Sequence, residues 1–247
     1  MFLSKKNWPA TATRASVSAV VGMPPCPARR VPTTLNTATV ILASVILLFS
    51  AGCTRPTPGL ARVKTIAIQP IGQYNSQQLP FIRKEISSFF NRPVIILPPI
   101  GMPASFLNRS KGKRYSADSI ISFLSARKGD TLSEIVGYTS LDIYTNIRDS
   151  TGQVKEPRLK YGVWGIMGLG FCPGTACIVS DRRLKTNDPK KFEHRLRTLF
   201  LHEIGHNLGL PHCLNAHCIM QDVRGKVSTI DSSFNDYCTA CRQNILL

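Results

Sequence analysis

The segment HEIGHNLGLPH, residues 202–212, restricts the architecture more than any other part of the 247-residue chain. His202 and His206 stand four residues apart, so on an α-helix both imidazoles leave one face about 6 Å apart along the axis. Gly209 can take the left-handed conformation that ends a helix and turns the chain back, which brings His212 toward the pair. Upstream, Asp188 suits an N-cap and Pro189 the first helical position, where a missing N–H costs nothing. Apolar residues at 192, 196, 199, 200 and 204 mark one face of the intervening helix, and Gly209 with Pro211 stops it. The fold must therefore contain a long helix, packed along one side, whose last turns and following loop gather three imidazoles.

Three neutral imidazoles leave a tetrahedral zinc one open position, and water bound there has its pKa lowered to about 7. Glu203, next to the first histidine, stands where a general base would accept that water's proton and pass it to a leaving amine. An HExxH pentapeptide alone fixes only three positions and recurs by chance in helices. The further Gly209 and His212 at their spacings turn it into a zinc peptidase pattern acting on a peptide or protein substrate. A zinc-stabilised binding module that hydrolyses nothing is the competing reading, and Glu203 speaks against it. His194 and His217 fall outside the pattern.

The rest of the domain reads as α/β or α+β. Residues 63–71 form a buried strand, 76–90 a helix with apolar positions at Leu79, Ile82, Ile86 and Phe90, and 94–97 a second strand, in βαβ order. Residues 101–117 read as an exposed basic loop carrying Lys111, Lys113 and Arg114, followed by a helix over 117–126 with Asp118 in its first turn. Strands are expected at 135–144, 162–167 and 176–180, which completes a five-stranded sheet.

Beyond His212 come Cys213, four residues, Cys218, one residue, Met220, seventeen residues, Cys238, two residues and Cys241. This pattern from His202 to Cys241 resembles the archaemetzincins, a branch of the metzincin metallopeptidases. The resemblance implies a metzincin-like catalytic domain with a five-stranded mixed sheet, an active-site helix and a small zinc-bound C-terminal subdomain. It also implies that Met220 forms the Met-turn beneath a catalytic zinc held by His202, His206 and His212. Cys213, Cys218, Cys238 and Cys241 would hold a second, structural zinc, and residues 162–170 would be the sheet edge that takes up a peptide as an antiparallel strand. Paired cysteines at short spacing support the metal independently. Disulfides 213–218 and 238–241, or a redox CxxC, are the alternatives. Cys172 and Cys177, in FCPGTAC, are expected to form a local disulfide, with free thiols as the alternative.

The first 53 residues read as an address. An apolar run at 40–49 follows Arg29 and Arg30 and ends in Ser50, Ala51, Gly52 and Cys53, which is the order of a signal peptide and too short to span a bilayer. The ending SAGC resembles a bacterial lipobox with Ser50 in place of the usual Leu, and Met23 would start a leader of conventional length. Cys53 is thus the expected lipid site, residues 54–62, with two Pro and one Gly, a tether, and residues 63–247 the catalytic domain of an exported, membrane-anchored cell-envelope lipoprotein. Charge does not alter this. Lys and Arg number 31 against 14 Asp and Glu, and only Lys5, Lys6, Arg14, Arg29 and Arg30 precede Cys53, so the domain itself is basic. That favours anionic surfaces and acidic peptides on encounter. No nucleic-acid-binding signature accompanies it, and no nucleic-acid partner is expected.

Overall fold

The computed structural model describes residues 65–223 and 225–245; the expected leader, Cys53, the tether and Val63 lie outside the described residues. Strand β1 (Thr65–Pro70), helix α1 (Leu79–Phe90) and strand β2 (Val94–Ile96) form the expected βαβ unit, with β1 and β2 parallel. Pro80 occupies the first turn of α1, and Asn91, in the left-handed conformation at φ 50°, ends it. Strands β3 (Leu107–Asn108) and β4 (Arg114–Ser116) follow, then α2 (Ala117–Arg127), capped by the Ser116 side chain accepting from the Ser119 amide. Next come β5 (Leu132–Thr139), β6 (Ile143–Thr145), the single turn α3 (Arg158–Tyr161), β7 (Trp164–Ile166), β8 (Gly168–Gly170) and β9 (Ala176–Ser180). Helix α4 (Pro189–Asn207) carries the histidine motif, and α5 (Val227–Asp231) and α6 (Thr239–Asn244) close the chain.

A mixed five-stranded sheet runs in the order β2-β1-β5-β9-β8, with β8 antiparallel to β9 at the edge and the other pairs parallel. Alternation along the strands sorts their side chains onto two faces. Ile66, Ile68, Val136, Tyr138, Cys177 and Val179 point toward α1 and α4, where Leu196, Phe200 and Ile204 meet them. Ala67, Ile135, Ala176 and Ile178 point the other way, onto Ile120, Ile121 and Leu124 of α2. Each such fully buried side chain contributes about 1.5–3 kcal/mol relative to exposure, so α4 is anchored along its length before any ligand is considered.

The sheet has five strands as expected, but not the expected five. A second sheet, β3-β4-β6-β7, takes up part of the chain. The single strand expected at 135–144 divides into β5 and β6, because the chain turns at Ser140, whose amide donates to Gln73 O at 2.6 Å and whose hydroxyl donates to Asp181 Oδ2 at 3.0 Å. The strand expected at 162–167 is β7 of the second sheet, and β8 supplies the edge of the first. The basic loop expected at 101–117 contains β3 and β4, and two of its charges are engaged: Lys111 Nζ donates to Gly162 O at 2.5 Å, and Arg114 donates to Asp142 Oδ2 at 3.0 Å and Val163 O at 2.7 Å. Among the described residues no helix is long and apolar enough to cross a membrane.

Candidate metal centre

Helix α4 begins as its sequence dictates, with Asp188 accepting from the Lys191 amide at 3.2 Å and Pro189 in first position. It ends one turn past His202, where Gly209, at φ 89°, donates to His206 O and Leu210 donates to Gly205 O. That reversal carries His212 back to the helix, and one ring nitrogen from each of His202, His206 and His212 lies within 4.8 Å of the others.

The orientation of the first two rings bears on what they hold. His202 Nδ1 lies 2.7 Å from Ile219 O, and His206 Nδ1 lies 2.8 Å from Leu210 O. A carbonyl oxygen only accepts, so each Nδ1 carries the proton and each Nε2 presents a lone pair. Yet the two Nε2 atoms face one another at 3.1 Å. Two lone pairs this close repel unless a cation lies between them, and the N–H to carbonyl arrangement is the one that fixes histidine ligands of a metal. Burial pushes the His202 pKa down to about 4, aided by His212, and lowers His206 and His212 as well, so all three rings are neutral donors at physiological pH. The donor set and its spacing fit zinc.

Glu203 is buried within the same two turns, and burial raises its pKa to about 8, opposed by the Gly170 N–H that bonds to the carboxylate. On the same helix, Gly205 packs against fully buried Met220: a β-carbon there would stand 2.5 Å from Met220 Sδ and 2.8 Å from the Tyr237 hydroxyl oxygen. Glycine inside a helix costs roughly 1 kcal/mol relative to alanine, and this close approach is what offsets it. Met220 O accepts from the Cys213 amide at 2.7 Å, which links the loop under the helix to the residue after His212.

The sulfurs of Cys213, Cys218, Cys238 and Cys241 all lie within 4.8 Å of one another, and all four are free thiols. Cys213 Sγ is 3.7 Å from Cys238 Sγ, and Cys218 Sγ is 3.8 Å from Cys241 Sγ. Because all four are free thiols, neither the 213–218 and 238–241 bridges nor an oxidised CxxC pair is present. Four sulfurs about 2.3 Å from one centre would stand about 3.8 Å apart, which is what a tetrahedral zinc site asks. Amides of Asn215 and Cys238 point at Cys213 Sγ and Cys218 Sγ, each at 3.3 Å. The Cys241 amide bonds to Cys238 Sγ and leads the effects that bring that thiol down to about 7. Burial pushes Cys218 and Cys241 up.

The expected Cys172–Cys177 disulfide is not formed. Cys177, on β9, faces α4 and is a buried free thiol, whereas Cys172 lies in the loop before that strand. His194 Nε2 meets Ile230 O at 2.8 Å, and His217 stacks on Phe234, so both stand apart from the cluster as their positions implied. Sequence reasoning missed the carbonyls of Ile219 and Leu210, which orient the imidazoles of His202 and His206 without any side-chain signature. It also missed Tyr237 and the glycines of β8; the two glycines in GLG were the one visible signal.

The profile of peptidase family M54 matches residues 92–246. The archaemetzincin of Methanocaldococcus jannaschii is 30% identical over 195 residues, covering 75% of this chain and 95% of that protein. The crystal structure of archaemetzincin from Archaeoglobus fulgidus, complexed with malonate, superposes with a TM-score of 0.60 at 26% identity, covering 73% of this chain and 99% of that one. The archaemetzincin structure from Methanopyrus kandleri has the same fold, with a TM-score of 0.60 at 21% identity over 76% of this chain and 98% of that one. The chain belongs to peptidase family M54, the archaemetzincins, and is a zinc-dependent metallopeptidase.

Proposed function

We propose that the catalytic zinc is held by His202, His206 and His212, with Glu203 as general base, and that a second zinc, held by Cys213, Cys218, Cys238 and Cys241, maintains the C-terminal subdomain. The observation that carries the first part is the 3.1 Å approach of two lone-pair-bearing Nε2 atoms whose partner nitrogens are committed to backbone carbonyls. When bound, zinc supplies Lewis acidity, polarising the scissile carbonyl and acidifying the attacking water. Ile219 O and Leu210 O hold the two imidazoles in register. Glu203, one residue along the helix, takes the proton and returns it to the departing amine. The open side of edge strand β8, Gly168–Gly170, offers backbone groups to an extended substrate, so peptides are read mainly through their main chain.

The leader reading extends this to the cell. In this proposal residues 1–53 are the signal peptide, Cys53 receives lipid, residues 54–62 are the tether, and residues 63–247 work as a membrane-anchored peptidase outside the cytoplasm. Its support is the Arg29, Arg30, apolar run and SAGC order in the sequence.

Incubation of the purified protein with a diverse peptide mixture, beside a Glu203→Ala control, tests the chemistry. Glu203→Ala should keep its zinc and fold while losing roughly 10²- to 10⁴-fold in rate. Undiminished turnover in that variant would remove Glu203 from the mechanism.

A further inference from the structure

Two glycines in a three-residue strand call for a reason, because glycine weakens a strand unless something must approach its backbone closely. In β8 both Gly168 and Gly170 face α4. A β-carbon on Gly168 would stand 2.8 Å from both Cγ and Cδ of Glu203 and nearer still to its Oε1. One on Gly170 would stand 2.6 Å from Glu203 O and 3.3 Å from His206 Cβ. Neither glycine lies in the left-handed region, so space rather than backbone conformation is what the missing side chains provide. The Gly170 N–H also bonds to the Glu203 carboxylate. The contrast with β7 is informative, since the three atoms nearest a β-carbon on Gly165 would all belong to the guanidinium of Arg183.

We propose that Gly168 and Gly170 are positioning residues that cradle the Glu203 side chain against the edge strand and hold its carboxylate in one orientation beside the three histidines. The cradle acts on catalysis through Glu203, so its kinetic consequence rests on the general-base reading; its steric content does not. The alternative is that the glycines only allow β8 and α4 to pack closely, whatever residue stands at 203.

The test is a cycle in the full chain: Gly168→Ala, Glu203→Ala and the double variant, with Gly129→Ala as the control because a β-carbon there meets no atom within 4 Å. Melting temperature, zinc content, kcat and KM are measured for each. Gly168→Ala should lower kcat about a hundredfold, the cost of a misplacement near 1 Å, with KM and zinc content changed by less than about twofold. Its drop in melting temperature should shrink to less than about half once Glu203 is truncated, because the atoms it collides with are gone. If Gly168→Ala alone does not fold, recovery of folding in the double variant is the expected result. Wild-type kcat in Gly168→Ala, an equal thermal penalty in both backgrounds, or failure of both variants to fold would each overturn the cradle. Full activity in Glu203→Ala alone would instead remove the general-base reading and leave the thermal coupling as an independent result.

Discussion

The Tyr237 hydroxyl donates to Leu201 O at 2.6 Å, joining the residue before Cys238 to the residue before His202. The four-cysteine subdomain is thereby clamped to helix α4. Ile219, the residue after Cys218, holds His202 by its carbonyl and donates its own amide to Asp236 O at 3.0 Å. The histidine and cysteine clusters share no residue, but each depends on backbone that the other fixes.

Tyr237→Phe removes the clamp and leaves Leu201 O buried without this partner. Leu201 O lies inside α4 and keeps its helical N–H partner, so the expected cost is about 0.5–1.5 kcal/mol, the usual net contribution of one hydrogen bond. Urea denaturation of the zinc-loaded protein checks this, and a change below about 0.5 kcal/mol would show that the hydroxyl contributes little to holding the subdomain.

The two metal sites should be separable, with elemental analysis finding two zincs per chain. Structural zinc contributes an apparent 10–16 kcal/mol, comparable to the whole stability of a typical domain. Cys238→Ser should therefore lower the melting temperature sharply and lose activity only with structure. His206→Ala should abolish hydrolysis and release one zinc at a smaller thermal cost. One zinc per chain in the wild type, with full activity after Cys238→Ser, would contradict the assignment of the four cysteines.

Glu134 gives a pH dependence of known sign. It is buried on β5 beside Asn207, and burial raises its pKa from 4.5 to about 7 against the opposing Asn207 hydrogen bond. Between pH 4.5 and 7 the unfolded chain therefore releases a proton that the folded chain keeps, so this group's contribution makes stability fall as pH rises, by on the order of 3 kcal/mol. Glu134→Gln cannot ionise and offers an amide to Asn207 Oδ1, a buried atom otherwise without a partner. Its stability relative to wild type should grow from pH 5 to pH 8, and the difference removes the histidine titrations common to both proteins. Equal stability differences at the two pH values would refute a protonated Glu134.

Cys53→Ser should shift the protein from detergent extracts into the soluble or uncleaved-precursor fraction. Mass spectrometry of the mature wild-type N-terminus decides the point directly, and an unmodified Cys53 there would rule out lipidation.

The histidine cluster and its helix were legible because their logic is local. Asp188, Pro189 and Gly209 set the limits of α4 through capping and φ preferences, and spacings of four and six residues bring His202, His206 and His212 to one side within a few turns. The spacing of the four cysteines carried the second cluster in the same way. Tertiary structure decided what local pattern does not encode. Only packing of β9 against α4 turned Cys177 inward, into the apolar cluster as a free thiol. The break of 135–144 into two sheets depends on Gln73 and Asp181, which are far away in the chain and leave no mark in its hydrophobic alternation. The orientation of His202 and His206 comes from carbonyls of Ile219 and Leu210, and backbone oxygens are the same in every sequence, so only the path of the folded chain could say which ones face the imidazoles.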